Sequence, residues 1–225
     1  MNLNKFKSQK LKVALIKSSL PSYFPEKCNV WDRCSNCLKL LCDKADADLF
    51  IIDKIPMNGE ETSEIIKQCE EDRIDFIILL HGGFSMGDVA RTIAASSFKV
   101  GFWSIPEPIR TGDIQLNNFV SLNMSMSIAR QVRDLKRFPV KWFHDAPENN
   151  KLHERILITL NSLKVAKLLS KSRIGVIGGL AMTFYNMEIS TNELKSRLGT
   201  EVFNHDINEL TDLMSSQSEV LVKEE

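Results

Sequence analysis

The groups able to do chemistry in this chain gather where two apolar runs end. Phe76-Ile77-Ile78-Leu79-Leu80 breaks into His81-Gly82-Gly83, and Val100-Gly101-Phe102-Trp103 breaks into Ser104-Ile105-Pro106-Glu107-Pro108-Ile109-Arg110. Runs of this kind read as buried parallel strands, and open parallel sheets bind ligands beyond the carboxyl ends of their strands. His81 would stand at that edge, with Gly82 and Gly83 letting a ligand approach the backbone. The same imidazole would serve equally well to cap the next helix or bond a neighbouring carbonyl. Glu107 and Arg110 lie in a loop stiffened by Pro106 and Pro108. A carboxylate that accepts hydroxyl hydrogens and a guanidinium that donates to oxygens suit a polyol, and a local ion pair holding the loop is the alternative. Trp103 offers a stacking face for a sugar or, inside an apolar strand, a core side chain. Trp31 and Arg33 either border the same cleft or begin an exposed helix. The candidate substrate-binding set is therefore His81, Gly82, Gly83, Trp103, Glu107 and Arg110, with no catalytic residue and no metal ligand assigned.

Other motifs carry less. Four of the five cysteines, Cys28, Cys34, Cys37 and Cys42, fall close together. Cys34 and Cys37 have the spacing of a zinc or redox pair, yet no second pair or His-x-x-x-His follows. On a helix from Asn29 to Asp43, Val30, Cys34, Cys37, Leu38 and Leu41 share one face, which predicts reduced thiols packed as small hydrophobes. His81, His144, His153 and His205 show no ligand spacing either. Gly82-Gly83 followed by Gly87 is not a dinucleotide fingerprint, and Gly178-Gly179 lacks the Lys-Ser/Thr pair of a phosphate loop.

Positioning these residues requires alternating strands and helices. The pattern predicts strands at 12–18, 49–53, 76–80, 99–103 and 139–143, with helices near 29–43, 60–71, 87–95 and 123–135 between them. Right-handed crossovers then imply an α/β, flavodoxin-like, doubly wound parallel sheet in the order 2-1-3-4-5. Residues 1–150 form this domain, residues 151–172 a connecting amphipathic helix, and residues 173–225 the start of a second α/β domain. That second unit has strands at 173–177 and 201–204 and helices at 192–198 and from 207. Some fifty residues are marginal for an independent domain, so the second unit is expected to be incomplete, finished by a partner subunit or by continuation in a longer protein.

Composition bounds the function. An apolar fraction of 43% over 225 residues fills a real core, and 29 basic residues balance 29 acidic ones. That balance favours neither nucleic acid nor an anionic membrane as partner. No secretory signal or membrane-length run is visible, which predicts a soluble, cytoplasmic protein.

Taken together, LLHGG at 79–83, VGFWSIPEP at 100–108, the small-residue stretch from Leu116 to Ala129, VKWFHDAPE at 140–148 and RIGVIGG at 173–179 carry a family likeness. The chain resembles the amino-terminal half of the L-fucose isomerase and L-arabinose isomerase superfamily, and most of all its shorter L-fucose isomerase-like members. The resemblance runs from Lys12 to Leu213. It implies an intramolecular oxidoreductase of the aldose-ketose isomerase type, a sugar substrate, and a homo-oligomer in which the first domain of one subunit borders its neighbour's active site. It also implies a manganese-type ion held by carboxylates and a histidine from a later part of the complete enzyme. This chain would then hold no cofactor and be inactive alone, while its loops after strands three and four reach the substrate. A non-catalytic sugar-binding or regulatory module of the same fold is the alternative.

Overall fold

The computed structural model describes residues 10–109, 111–136 and 138–217. Arg110 therefore lies outside the described residues. The chain divides into two compact units at Leu163–Lys164.

In the first unit, β1 (Leu11–Ser18), β2 (Ala47–Ile52), β3 (Phe76–His81), β4 (Lys99–Ser104) and β5 (Val140–His144) form one parallel sheet in the order β2-β1-β3-β4-β5. The flavodoxin-like order read from the sequence is the observed one. β3 is central because every residue of Phe-Ile-Ile-Leu-Leu-His is buried, so both of its faces must be covered. On one face Ile78 and Leu80 pack with α1 (Val30–Lys44) and α5 (Asn150–Leu169). On the other, Ile77 and Leu79 pack with α2 (Gly59–Glu71), α3 (Gly87–Ala95) and α4 (Asn118–Val132). Each strand thus sends alternate side chains to the two layers, as its period of two demands.

The cysteine helix behaves as its spacing suggests. Val30, Cys34, Cys37, Leu38, Leu41 and Cys42 are buried along α1, and all five cysteines are free thiols. Burial pushes Cys37 up to about 11 and Cys42 to about 12, so these thiols are inert at neutral pH. The first three turns of α5, read from the sequence as a connector, send Leu152, Ile156 and Leu160 into the same core. At the far end of α4 the Arg133 guanidinium donates to the carbonyls of Phe138, Ala94, Ser96 and Phe98 at 2.6–3.0 Å, tying that helix to the α3–β4 turn.

The second unit has its own two-stranded parallel sheet, β6 (Arg173–Ile177) with β7 (Glu201–His205), and helices α6 (Thr191–Leu198) and α7 (Ile207–Ser216). Its helices are delimited by local chemistry. Ser190 caps α6, Gly199 at φ 75° ends it, and Asp206 with Glu209 forms a capping box at α7. Among the described residues no helix is long and apolar enough to cross a membrane.

Candidate functional site at the carboxyl edge

The strand register sets a row of polar residues across the carboxyl edge of the first sheet. Ser18 pairs with His81, His81 with Ser104, and Ser104 with His144. In-register partners in a parallel sheet point to the same face, and here that is the face covered by α4. The inner surface of α4 answers in kind, because its buried positions are Asn118, Ser121, Leu122, Ser125 and Ala129.

His81 is fully buried in this seam. Its Nδ1 bonds Ser85 Oγ at 3.1 Å and Ser121 Oγ at 3.3 Å, and its Nε2 bonds Ser125 Oγ at 3.1 Å. Ser85 and Ser121 hydroxyls are 2.8 Å apart, and the Ser85 backbone N–H donates to Ser121 Oγ. Burial drives the imidazole down to about 3, so it stays neutral. The expectation of an accessible His81 at the sheet edge is corrected: both ring nitrogens brace the β3 loop against α4. The opposite end of the row is different. His144 is half-buried, its Nδ1 bonds Ser104 Oγ at 2.8 Å, and the Phe119 ring lies 4.6 Å from its own. Burial lowers its pKa, with the nearby Asp145 carboxylate opposing.

The remaining predicted residues have structural tasks as well. Gly82 and Gly83 are tight because the β1–α1 segment lies on them. A Cβ at Gly82 would run into the Trp31 indole, and one at Gly83 into Ser19 Oγ and Tyr23. The Gly82 amide donates to Ser18 O at 3.0 Å, so the close approach is by protein and not by ligand. Trp103 is fully buried on the α1/α5 face, with its Nε1 donating to Asp145 O, which leaves no ring face for a sugar. Glu107 clasps its own loop: Oε2 accepts from Leu116 N at 3.0 Å and Oε1 from Asn117 N at 2.6 Å. Arg33 makes a bidentate pair with Glu148, both bonds 2.8 Å, which holds the Glu148 carboxyl below its usual range.

These bonds knit three loops into a floor. Leu20 N donates to Phe84 O and Phe84 N to Leu116 O, each at 2.7 Å. Beside that floor an open cleft of about 650 Å³ separates the β1 loop from the β4 loop. Tyr23, Phe24, Lys27, Cys28, Asp113 and Gln115 contribute to its lining. The Tyr23 hydroxyl accepts from Asn117 Nδ2 at 3.3 Å, so its own proton is available to the cleft. A phenol, an ammonium, a carboxylate and an amide around one cleft suit a hydroxyl-rich ligand. Sequence reasoning reached the loops and missed these side chains, because only the fold brings residues 22–28 against 108–115.

Two further side chains stand out. Among the described residues, Ser18 Oγ and both amide atoms of Asn118 are buried without a hydrogen-bond partner. An amide in that state costs free energy that a leucine of similar size would not.

The donor set does not suit a manganese-type ion. The edge offers hydroxyls, imidazoles, a Glu107 carboxylate already bonded twice and the separate carboxylates of Asp113 and Asp145, whereas such an ion takes clustered carboxylate oxygens. Among the described residues no three of His, Cys, Asp and Glu come together to hold a metal.

No protein-family model matches the chain. It is 25% identical over 158 residues, 70% of its length, to the sulfoquinovose isomerases of Priestia aryabhattai and of Priestia megaterium. The chain spans only about a third of these relatives, 34% of their length. A transcriptional regulator of the LacI family from Rhizobium etli superposes over 93% of both chains at 11% identity, with a TM-score of 0.34, too low to bear on fold or function. The chain is thus similar, over most of its length, to part of a sugar isomerase.

Proposed function

We propose that this chain is the flavodoxin-like, substrate-bordering part of a sugar aldose-ketose isomerase. The observation that carries the reading is its similarity over 158 residues to enzymes named for isomerising sulfoquinovose. The polar cleft at the carboxyl edge supports it, since its phenol, ammonium, carboxylate and amide can grip hydroxyls without a metal. In this proposal the chain belongs to the L-fucose and L-arabinose isomerase superfamily and works in the cytoplasm as a homo-oligomer. Its loops reach the sugar, while a manganese-type ion and the proton-transfer groups lie outside residues 1–225. These residues alone then bind sugar without turning it over.

Calorimetric titration of the chain with sulfoquinovose and with neutral aldoses, beside a 13C NMR assay for ketose with and without added manganese, tests this. Saturable binding without turnover is the expected result. Failure to bind any sugar overturns the reading, and ketose formation by the chain alone overturns the division of labour.

A further inference from the structure

We infer that His144 is a direct sugar contact, its Nε2 forming a hydrogen bond to a substrate hydroxyl while Ser104 and Phe119 fix the ring. The inference rests on the sugar-isomerase reading and adds a residue outside both the predicted substrate-binding set and the cleft lining.

The two histidines of the edge row differ in what they leave free. His81 has both nitrogens bonded to serine hydroxyls within a sealed seam. His144 has Nδ1 bonded to Ser104 and its ring centroid 4.6 Å from that of Phe119, and among the described residues nothing bonds its Nε2. It is only half-buried, so that remaining nitrogen is the part of the edge row with both access and capacity.

Its partner makes the contact adaptable. The Ser104 hydroxyl is fully buried and can either donate to Nδ1 or accept from it. Each choice fixes the opposite role at Nε2, so the imidazole can meet a sugar hydroxyl as donor or as acceptor without becoming charged. Hydroxyls themselves take both roles, which makes a tautomer-switching imidazole a fitting partner for a polyol.

A second observation lies one residue earlier on α4. Asn118, the residue directly before Phe119, is fully buried, and among the described residues both its amide atoms are unpartnered. The first turn of α4 therefore combines an unsatisfied amide with the ring that orients His144, an arrangement costly for a purely structural joint.

The test is histidine-selective 15N NMR on the full chain, titrated with sulfoquinovose and separately with glucose, with backbone amides recorded in parallel. The expected result is a shift of the His144 Nε2 signal on sugar addition while the His81 nitrogens stay fixed. His144→Phe should weaken binding about tenfold and His144→Gln less, because a carboxamide keeps a hydrogen bond. Amide shifts at Tyr23 and Gln115 with the His144 nitrogens unmoved would overturn this inference and leave the sugar reading standing. No shift anywhere would overturn both. The wild-type spectrum decides the matter even if His144→Phe fails to fold.

Discussion

α1 and α4 are both helices of 15 residues packed on the same sheet, yet they bury opposite kinds of surface. α1 turns Val30, Cys34, Leu38 and Leu41 inward, whereas α4 turns in Asn118, Ser121 and Ser125 around a buried histidine. The first interface does what burial of apolar area does in any core: it stabilises without direction. The second is directional, and it places hydroxyls, an imidazole and an amide under the carboxyl edge of the sheet. On the proposed function, the difference separates a layer that stabilises from one that lies beneath the recognition edge.

The largest effect should come from the apolar interface. Leu38→Ala is expected to lose about 2–5 kcal/mol of unfolding free energy in urea titration, since Leu38 is fully buried in the α1 core. A loss under about 1 kcal/mol would mean that α1 is not the stabilising side.

The polar seam should reveal itself through pH. His81 is held neutral with its pKa pushed down to about 3, while the unfolded chain binds a proton near 6.5. The unfolded state therefore holds more protons between these values. Stability is full above about pH 6.5 and falls by about 1.4 kcal/mol per pH unit as the pH drops toward 3. His144, lowered by burial, acts in the same sense. His81→Gln should flatten the decline, and an unchanged slope would place the titrating group elsewhere.

Asn118→Leu sharpens the contrast from the other side. Removing a buried, unpartnered amide should raise stability by about 1 kcal/mol in the absence of ligand. A destabilised variant would mean that ordered water already satisfies that amide. The smallest change belongs to the cleft: Tyr23→Phe should alter stability by only about 0.5 kcal/mol, as its bond to Asn117 is partly solvated. Its effect should appear instead as weaker sugar binding in calorimetric titration.

The sequence made the apolar half of this molecule readable and the polar half only partly so. β3 and β4 begin at the residues their apolar runs indicate, Phe76 and Lys99. β2 begins two residues early, at Ala47, because an edge strand beginning Ala-Asp carries little hydrophobic signal. α4 begins at Asn118 and not near 123, since a face of asparagine and serines has no apolar period to detect. The loops after β3 and β4 begin where the apolar runs end, but His81 and Glu107 bond the protein itself. What single-sequence reading could not supply is register. Only the pairing of Ser104 with His144 and the approach of the β1 loop to the β4 loop reveal His144, Tyr23 and Gln115 as edge residues.

The central claim is that a sugar binds at the carboxyl edge, and the first unit offers a rival site. At the amino-terminal edge of its sheet lies a cavity of about 190 Å³ whose lining includes Phe76, Lys99, Phe138, Lys141 and Leu163. Backbone amide shift mapping during a sulfoquinovose titration distinguishes the two in one experiment. The account predicts shifts concentrated at Tyr23, Lys27, Gln115 and His144, with Phe76, Lys99 and Lys141 silent. Shifts confined to Phe76, Lys99 and Lys141 would contradict it.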